Sequence, residues 1–312
     1  MHKILTLAAA VAFGMMGGAA SAADYPSKPV SFVVPWPPGD LEDVLTRMIA
    51  EDFQDKYGVA AAVINKPGGG GGPFPGAEVV AQADADGSVV GSFVIGVPVV
   101  GPTIGFDWLD ENTFEALGIF LTYPFVLVAA GDAPYDTVEE MADYAKTNEL
   151  VLGHFGAALT PTQVSFAAAS SMGFEWGSEA AFDMLDCNTL ASGDADIINT
   201  TIQLVLPCLD TVKVLAAMTN ERIPLVPDAP TMGELIPALD ISLWNGLFVK
   251  QGTSDEVKQA LIASAKQTMA SDRAQMVAKN SGALVYWMNA EDALGQIEKD
   301  RSTMATIGEL TQ

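Results

Sequence analysis

The sequence predicts an α/β fold built from two sheet-and-helix units, and three observations carry that prediction. An apolar run, Val30–Val34, stops at Pro35, and a loop holding Pro35, Pro37, Pro38 and Gly39 joins it to apolar residues at Leu41, Val44, Leu45, Met48, Ile49 and Phe53. That spacing is one buried face of a helix. The alternation of short apolar run and helical pattern continues to residue 94, in the β-α-β-α-β order of a doubly wound sheet. Binding crevices in such sheets lie beyond the carboxyl ends of the strands. A second unit then begins near residues 125–128.

Element by element, the strand-to-helix loop comes first. Its prolines stiffen it, so the backbone N–H groups of the first helical turn point outward as anion donors. Residues 59–64 read as the second strand, followed by Asn65-Lys66-Pro67 and the five glycines of 68–72. A helix is expected over 77–83, a turn at Asp84-Ala85-Asp86-Gly87, and a third strand over 88–94. In the second unit, Thr137 with Glu140 three residues later forms a capping box for a helix to about residue 147. A strand at 150–152, a Gly/Ala loop and a helix opening at Thr160-Pro161 follow. Ile197-Ile198 and 212–217 supply more strands, and Pro224, Pro227 and Pro230 mark an extended stretch before a helix at 231–235. A strand returns at 243–249, and helices near 254–269, 272–280 and 291–307 close the chain. That late return predicts a discontinuous first domain, 23–124 with 245–312, around a second of 125–244, with two segments crossing between them.

Residues 1–22 read as a secretion signal: Lys3 and the amino terminus are basic, 4–16 is apolar, and Ala20-Ser21-Ala22 fits a cleavage site after Ala22. About 290 of the 312 residues remain, enough for two domains. At 49% apolar residues the chain can fill a proper core. With Lys3 removed, 14 basic residues face 39 acidic ones, a formal charge of −25. Such a chain repels nucleic acid and anionic lipid, so neither is an expected partner. Any anionic ligand must also reach its site against that field. Cys187 and Cys208 are the two cysteines. In an oxidising compartment they form either a disulfide, closing a loop worth roughly 3 kcal/mol, or two buried free thiols.

Histidine arithmetic limits the chemistry. His2 leaves with the signal, so a Ser-His-Asp triad would need His154, and no G-x-S-x-G elbow accompanies it. His154, between glycines at 153 and 156, is otherwise a loop or packing residue. No H-E-x-x-H, EF-hand or cysteine cluster suggests a metal, and no cofactor is expected. The glycine run lacks the following Gly-Lys-Ser/Thr of a phosphate loop. It is either a flexible turn or a loop that lets backbone or ligand approach closely.

Six segments carry a family likeness. Tyr25-Pro26-Ser27-Lys28-Pro29, Pro35-Trp36-Pro37-Pro38-Gly39 with Asp43, Asn65-Lys66-Pro67-Gly68, Asp86-Gly87, Val138-Glu139-Glu140-Met141 and Leu225-Val226-Pro227-Asp228-Ala229-Pro230-Thr231 stand in order at fitting intervals. Together they resemble the solute-binding proteins of tripartite tricarboxylate transporters, the Bug family. The resemblance implies a type II-like periplasmic binding protein, with two α/β lobes closing like a flytrap on a small carboxylate in the cleft. It also implies a monomer that catalyses nothing, works in the periplasm and delivers ligand to membrane subunits. A receptor domain signalling to a kinase partner shares the fold. A hydrolase using Asp40, Glu42 or Asp43 is the rival from another class.

The expected ligand contacts are Trp36, Pro38, Gly39 and Asp40 in the first loop, and Ile95, Gly96 and Val97 at the end of the third strand. From the second lobe they are His154, Gly156, Ala157, Thr160, Thr162, Asn199, Thr200 and Thr201. Trp36 either packs on the ligand or seals its loop. Thr160 and Thr162 either donate to a carboxylate or cap their helix. Asp40 stands where the family usually has a second glycine. It either caps the helix, with Asp43 at the third helical position, or faces the cleft and disfavours a second ligand charge. Ala158 stands for a family glycine, Leu159 for a hydroxyl and Thr162 for a histidine, and the usual Tyr-Lys-Gly near residue 180 is missing, which predicts a more apolar pocket than a citrate site.

Overall fold

The computed structural model describes residues 25–68 and 72–311, so the expected signal over 1–22 and part of the glycine run lie outside the described residues. The first unit forms as the periodicity predicts. β1 (Val30–Val34) leads to α1 (Leu41–Tyr57), which buries Leu41, Leu45, Ile49 and Phe53 along one face and ends at Gly58 in the left-handed region. β2 (Ala61–Asn65), α2 (Phe74–Gln82) and β3 (Val89–Val94) follow, with β1 parallel to both neighbours. The second helix starts earlier than the expected residue 77, because Pro75 fits a first turn where no N–H is needed. A π-helical turn (Gly96–Val100) and α3 (Gly101–Ile104) then lead into β4 (Phe114–Thr122), a strand absent from the sequence reading.

The chain crosses to a second sheet at β5 (Phe125–Ala130), followed by α4 (Val138–Ala145) with its Thr137 cap, β6 (Val151–His154) and α5 (Thr160–Met172). Next come β7 (Ser178–Ala181), α6 (Cys187–Ser192), β8 (Ile197–Thr201), α7 (Ile202–Val205), a 3₁₀ segment (Leu206–Thr211) and β9 (Val212–Ala217). Sheet order is β7-β6-β8-β5-β9. β5 alternates strictly: Val126 and Val128 pack on one face, while Leu127 and Ala129 join the main core on the other. Cys187 and Cys208 form a disulfide with Cα atoms 5.9 Å apart, tying α6 to the segment after β8 across 21 positions. Replacing both cysteines with alanine is expected to cost about 3 kcal/mol in denaturant unfolding, by releasing that loop in the unfolded chain. An unchanged midpoint would show that the bridge constrains nothing.

The chain returns through α8 (Met232–Leu235), capped by Thr231 and Glu234, and a 3₁₀ turn (Pro237–Leu239) to β10 (Trp244–Lys250). α9 (Asp255–Met269), α10 (Asp272–Ser281), β11 (Leu284–Asn289) and α11 (Ala290–Leu310) complete it. The first sheet has the order β11-β4-β10-β3-β1-β2, with β10 antiparallel to both β3 and β4. β4 lies close to both partners because of paired glycines. A Cβ at Gly246 would sit 2.8 Å from the Gly118 carbonyl oxygen, and one at Gly118 would sit 2.4 Å from that of Met288. The two crossing segments run side by side, with Tyr123 N–H donating to the Leu243 carbonyl at 2.7 Å. α11 packs on β4 and reaches α5 beyond the first sheet. No helix among the described residues is long and apolar enough to cross a membrane.

Candidate functional site

The loops after β1 and β6 leave the carboxyl ends of their strands, one on each sheet. The β1 loop is pinned from beneath. Asp43 accepts from Gly39 N–H at 2.8 Å, from Asn65 at 2.7 Å, and from Arg47 through two 2.9 Å bonds. Asn65 also donates to the Trp36 carbonyl at 3.0 Å. Burial opposes the Asp43 charge, yet Arg47, Asn65 and Gly39 hold its carboxyl below the usual range. Trp36 is half-buried, while Pro38, Gly39 and Asp40 are exposed at the loop's tip. Asp40 occupies the N-cap position of α1, but its side chain makes no capping bond, which corrects the capping expectation. The reason is that the neighbouring Asp43 already holds the loop. The Asp40 carboxyl is pushed upward by partial desolvation and then by Asp43.

Below this loop lies a buried polar chain. Glu42, 2% exposed, accepts from the Tyr123 hydroxyl at 2.8 Å and from its own backbone N–H. Desolvation, then Asp40, pushes the Glu42 carboxyl up to about 8. Tyr123 also faces Asn245 Oδ1 at 3.5 Å. Asn245 donates to Ser92 at 2.8 Å, and Ser92 shares a 2.8 Å hydrogen bond with Thr46. Tyr123 belongs to the first crossing segment. Its ring meets Phe125 edge-on at 6.2 Å, and Phe125 meets Phe155 at 6.3 Å, beside the second loop. An aromatic floor thus runs from the first lobe's loop to the second's. Tyr123, Phe125 and Phe155 were missed in the sequence, and Glu42 entered there only as a catalytic acid.

The second loop is built around His154. The ring is 1% exposed, its Nδ1 accepts from Gly156 N–H at 3.0 Å, and its Nε2 bonds Glu179 of β7. Both nitrogens are occupied, so the expectation that His154 presents itself to ligand is corrected: it shapes the loop. Thr162 also turns inward, donating to the Gly156 carbonyl at 2.8 Å, while Gln163 donates to Ala157 O at 2.7 Å. Thr160 is buried at the first position of α5, and its hydroxyl makes no hydrogen bond among the described residues. The residue at the N-cap is Leu159, whose side chain has no oxygen, so the first-turn N–H groups of Thr160 and Thr162 have no side-chain cap. Pro161 between them has no N–H to satisfy. A rigid, uncapped helix start is an anion-binding arrangement.

The remaining expected contacts separate into two groups. Asn199 of β8 lies against α5, donating to Pro161 O and Ser165 Oγ at 2.7 Å each, and its buried Oδ1 has no partner. Thr201 is buried at the end of the same strand. Thr200 points to the opposite face and donates to Leu185 O at 2.7 Å, so the period of two removes it from the site. Ile95 and Val97 send their side chains into the core, leaving backbone and Gly96 to face outward. Among the described residues no group of acids, histidines or cysteines is arranged to hold a metal ion.

Two sheet-and-helix lobes joined by paired segments share the two-lobed fold of the periplasmic binding proteins they superpose on. The family model described as tripartite tricarboxylate transporter family receptor (TctC) matches residues 45–309, and the chain belongs to that family. It is a solute-binding protein of the Bug type. Protein BugT of Bordetella pertussis is 27% identical over 253 residues, 76% of this chain and 75% of that one. A protein from the tcbD-tcbE intergenic region of Pseudomonas sp. strain P51 is 25% identical over 262 residues, covering 79% and 75% of the two chains. Among solved structures, periplasmic binding protein BugD superposes with a TM-score of 0.72 at 24% identity, covering 91% of this chain and 97% of its own. MatC from Rhodopseudomonas palustris with bound malate gives a TM-score of 0.75 at 21% identity, covering 91% and 100%. An R. palustris protein with adipate gives 0.77 at 21%, covering 92% and 98%.

Proposed function

We propose that this chain is a periplasmic receptor that captures a small organic carboxylate between its lobes and delivers it to the membrane subunits of a tripartite tricarboxylate-type transporter. Residues 1–22 serve as the export signal. Lobe one comprises 23–124 and 245–312, lobe two 125–244, and the chain works as a monomer. The observation that carries the reading is the uncapped start of α5, where Thr160 and Thr162 offer backbone N–H groups beside the His154-shaped loop. The malate and adipate held by two structural neighbours fit the same chemistry. Trp36, Pro38 and Gly39 would cover the ligand from lobe one, with Gly96, Gly156, Ala157, Asn199 and Thr201 around it.

A thermal-shift screen against di-, tri- and aromatic carboxylates tests the reading, since ligand at a hundred times its Kd should add about 2.7 kcal/mol. Leu159→Asp sharpens the test by supplying an intramolecular carboxylate to the same amides. It should stabilise the unliganded chain by about 1 kcal/mol as a helix cap, while weakening carboxylate binding by about tenfold or more. Unchanged affinity in this variant would reject the α5 site.

A further inference from the structure

The loop that leads into α5 hangs on one peptide. Gly156 donates its N–H to His154 Nδ1 at 3.0 Å, while its carbonyl accepts from the Thr162 hydroxyl at 2.8 Å and the Leu159 N–H at 3.1 Å. Those bonds set where the uncapped N–H groups of Thr160 and Thr162 point. A backbone N–H can only donate, so His154 Nδ1 carries no proton. The ring's proton then sits on Nε2 and is given to the Glu179 carboxylate. Glu179 comes from β7, the edge strand beside β6, and nearly half of its side chain is exposed. His154 itself is buried, with Phe166 of α5 edge-on to its ring at 6.3 Å. Water therefore reaches the acid but not the ring.

We propose that Glu179 is a positioning residue for solute capture: by accepting from Nε2–H it keeps His154 in the tautomer whose bare Nδ1 holds Gly156. This rests on the carboxylate-receptor reading above, and it ties solute affinity to the protonation of one ring. A doubly protonated imidazole has no acceptor, so its Nδ1–H would meet the Gly156 N–H donor to donor. The loop must then shift, and the α5 amides lose their aim. The ring's positive charge alone would favour an anion, but Glu179 lies against it and offsets that field. The elements packed on His154 are β7, β8 and α5, and Glu179 is the one ionisable side chain they carry. Asp183 is exposed in the loop after β7, where the Phe182 N–H donates to the His154 carbonyl at 2.9 Å. Acidification should therefore weaken solute binding in this chain.

The test combines calorimetry with heteronuclear NMR of the ring nitrogens on the full chain, using succinate, glutarate, citrate and benzoate as probes. At neutral pH the unaltered chain should show a protonated Nε2 and a bare Nδ1 bonded to the Gly156 amide. Affinity should fall by about tenfold as the ring gains its second proton, and the two midpoints should coincide. His154→Asn places an amide oxygen where Nδ1 stood and does not titrate, so its affinity should follow only the solute's own titration. Glu179→Leu and Glu179→Gln remove the same charge, but the second keeps an acceptor for Nε2–H. The first should bind about tenfold more weakly than the second and show the proton moved to Nδ1. Equal affinities in that pair, or a pH response shared by His154→Asn, remove the role of Glu179 and leave the receptor reading standing. Affinity that rises on acidification does the same, because His154 would then act as a cation toward the solute. Should Glu179→Leu not fold, the spectrum and pH profile of the unaltered chain against His154→Asn decide. Failure of every probe to bind the unaltered chain overturns the receptor reading and this inference with it.

Discussion

Trp244→Ala is expected to lower the unfolding free energy by about 3–5 kcal/mol, the range for losing a fully buried aromatic side chain. Trp244 opens β10 with no exposed surface, stacks toward Phe248, and donates its indole N–H to Asp300 of α11 at 2.6 Å. Gln296 supplies the second donor to Asp300 at 2.9 Å. Asp300 is itself fully buried, and desolvation pushes its carboxyl up to about 6 despite both bonds. Removal of the indole therefore opens a cavity and strips a donor from a buried acid. Trp244→Phe separates the two effects: most of the volume stays, while the unpaired acceptor costs about 1–3 kcal/mol. Adding Asp300→Asn to Trp244→Phe should recover part of that loss at neutral pH, because the amide carries no charge to desolvate. A loss below about 1 kcal/mol for Trp244→Ala in denaturant unfolding would show that the return strand is not anchored here.

Stability should decline by about 2–5 kcal/mol between mildly acidic and mildly alkaline pH, opposite to the usual behaviour of ion-paired carboxylates. Glu42 and Asp300 both have folded pKa values above their unfolded ones, about 8 against 4.5 and about 6 against 3.8. The native state therefore holds their protons more tightly than the unfolded chain does. Their contribution is fully present below the unfolded values and is lost as pH rises, by about 6 for Asp300 and about 8 for Glu42. Asp86, lowered to about 2 by Lys28 and Ser88 against its own desolvation, works the other way, losing its contribution only as pH falls toward that value. A maximum near pH 5 is expected. Glu42→Gln should abolish most of the decline between about pH 6 and 9, whereas Glu256→Gln, an exposed change of equal charge, should not. Parallel unfolding curves for the two variants would assign the decline to net charge alone.

How legible these features were depends on how local their causes are. α1 could be read because its buried positions repeat every fourth residue and Pro and Gly punctuate both ends, all within one stretch of chain. β4 was missed because Gly118 and Glu115 interrupt its apolar run, and Gly118 is there for the close approach of β11, far away in sequence. β11 falls in the short interval left unassigned between the helices expected at 272–280 and 291–307. The site shows the same division. The loops themselves were legible, since prolines, glycines and a helix start mark them, but not that Asp43 takes the Gly39 N–H of the β1 loop and Glu42 its own. Which way a hydroxyl turns was not: Thr162 and Thr200 both bond carbonyls that only the folded chain brings near. Glu42 was obscured by its position, where an acid ordinarily complements the helix dipole. Its partner Tyr123 lies 81 residues away.

The pair of segments joined at Tyr123 and Leu243 also bears on how the two lobes can move in the proposed receptor. A single tether would allow the halves to twist, slide and swing. Two parallel tethers fastened to each other resist sliding and twisting, and leave a swing about their common line as the soft direction. Tyr123 lies on that line and carries Glu42 and Asn245 on its hydroxyl. In the receptor proposed above, departure of the solute would be geared to a one-dimensional motion whose axle carries the Tyr123–Glu42 hydrogen bond.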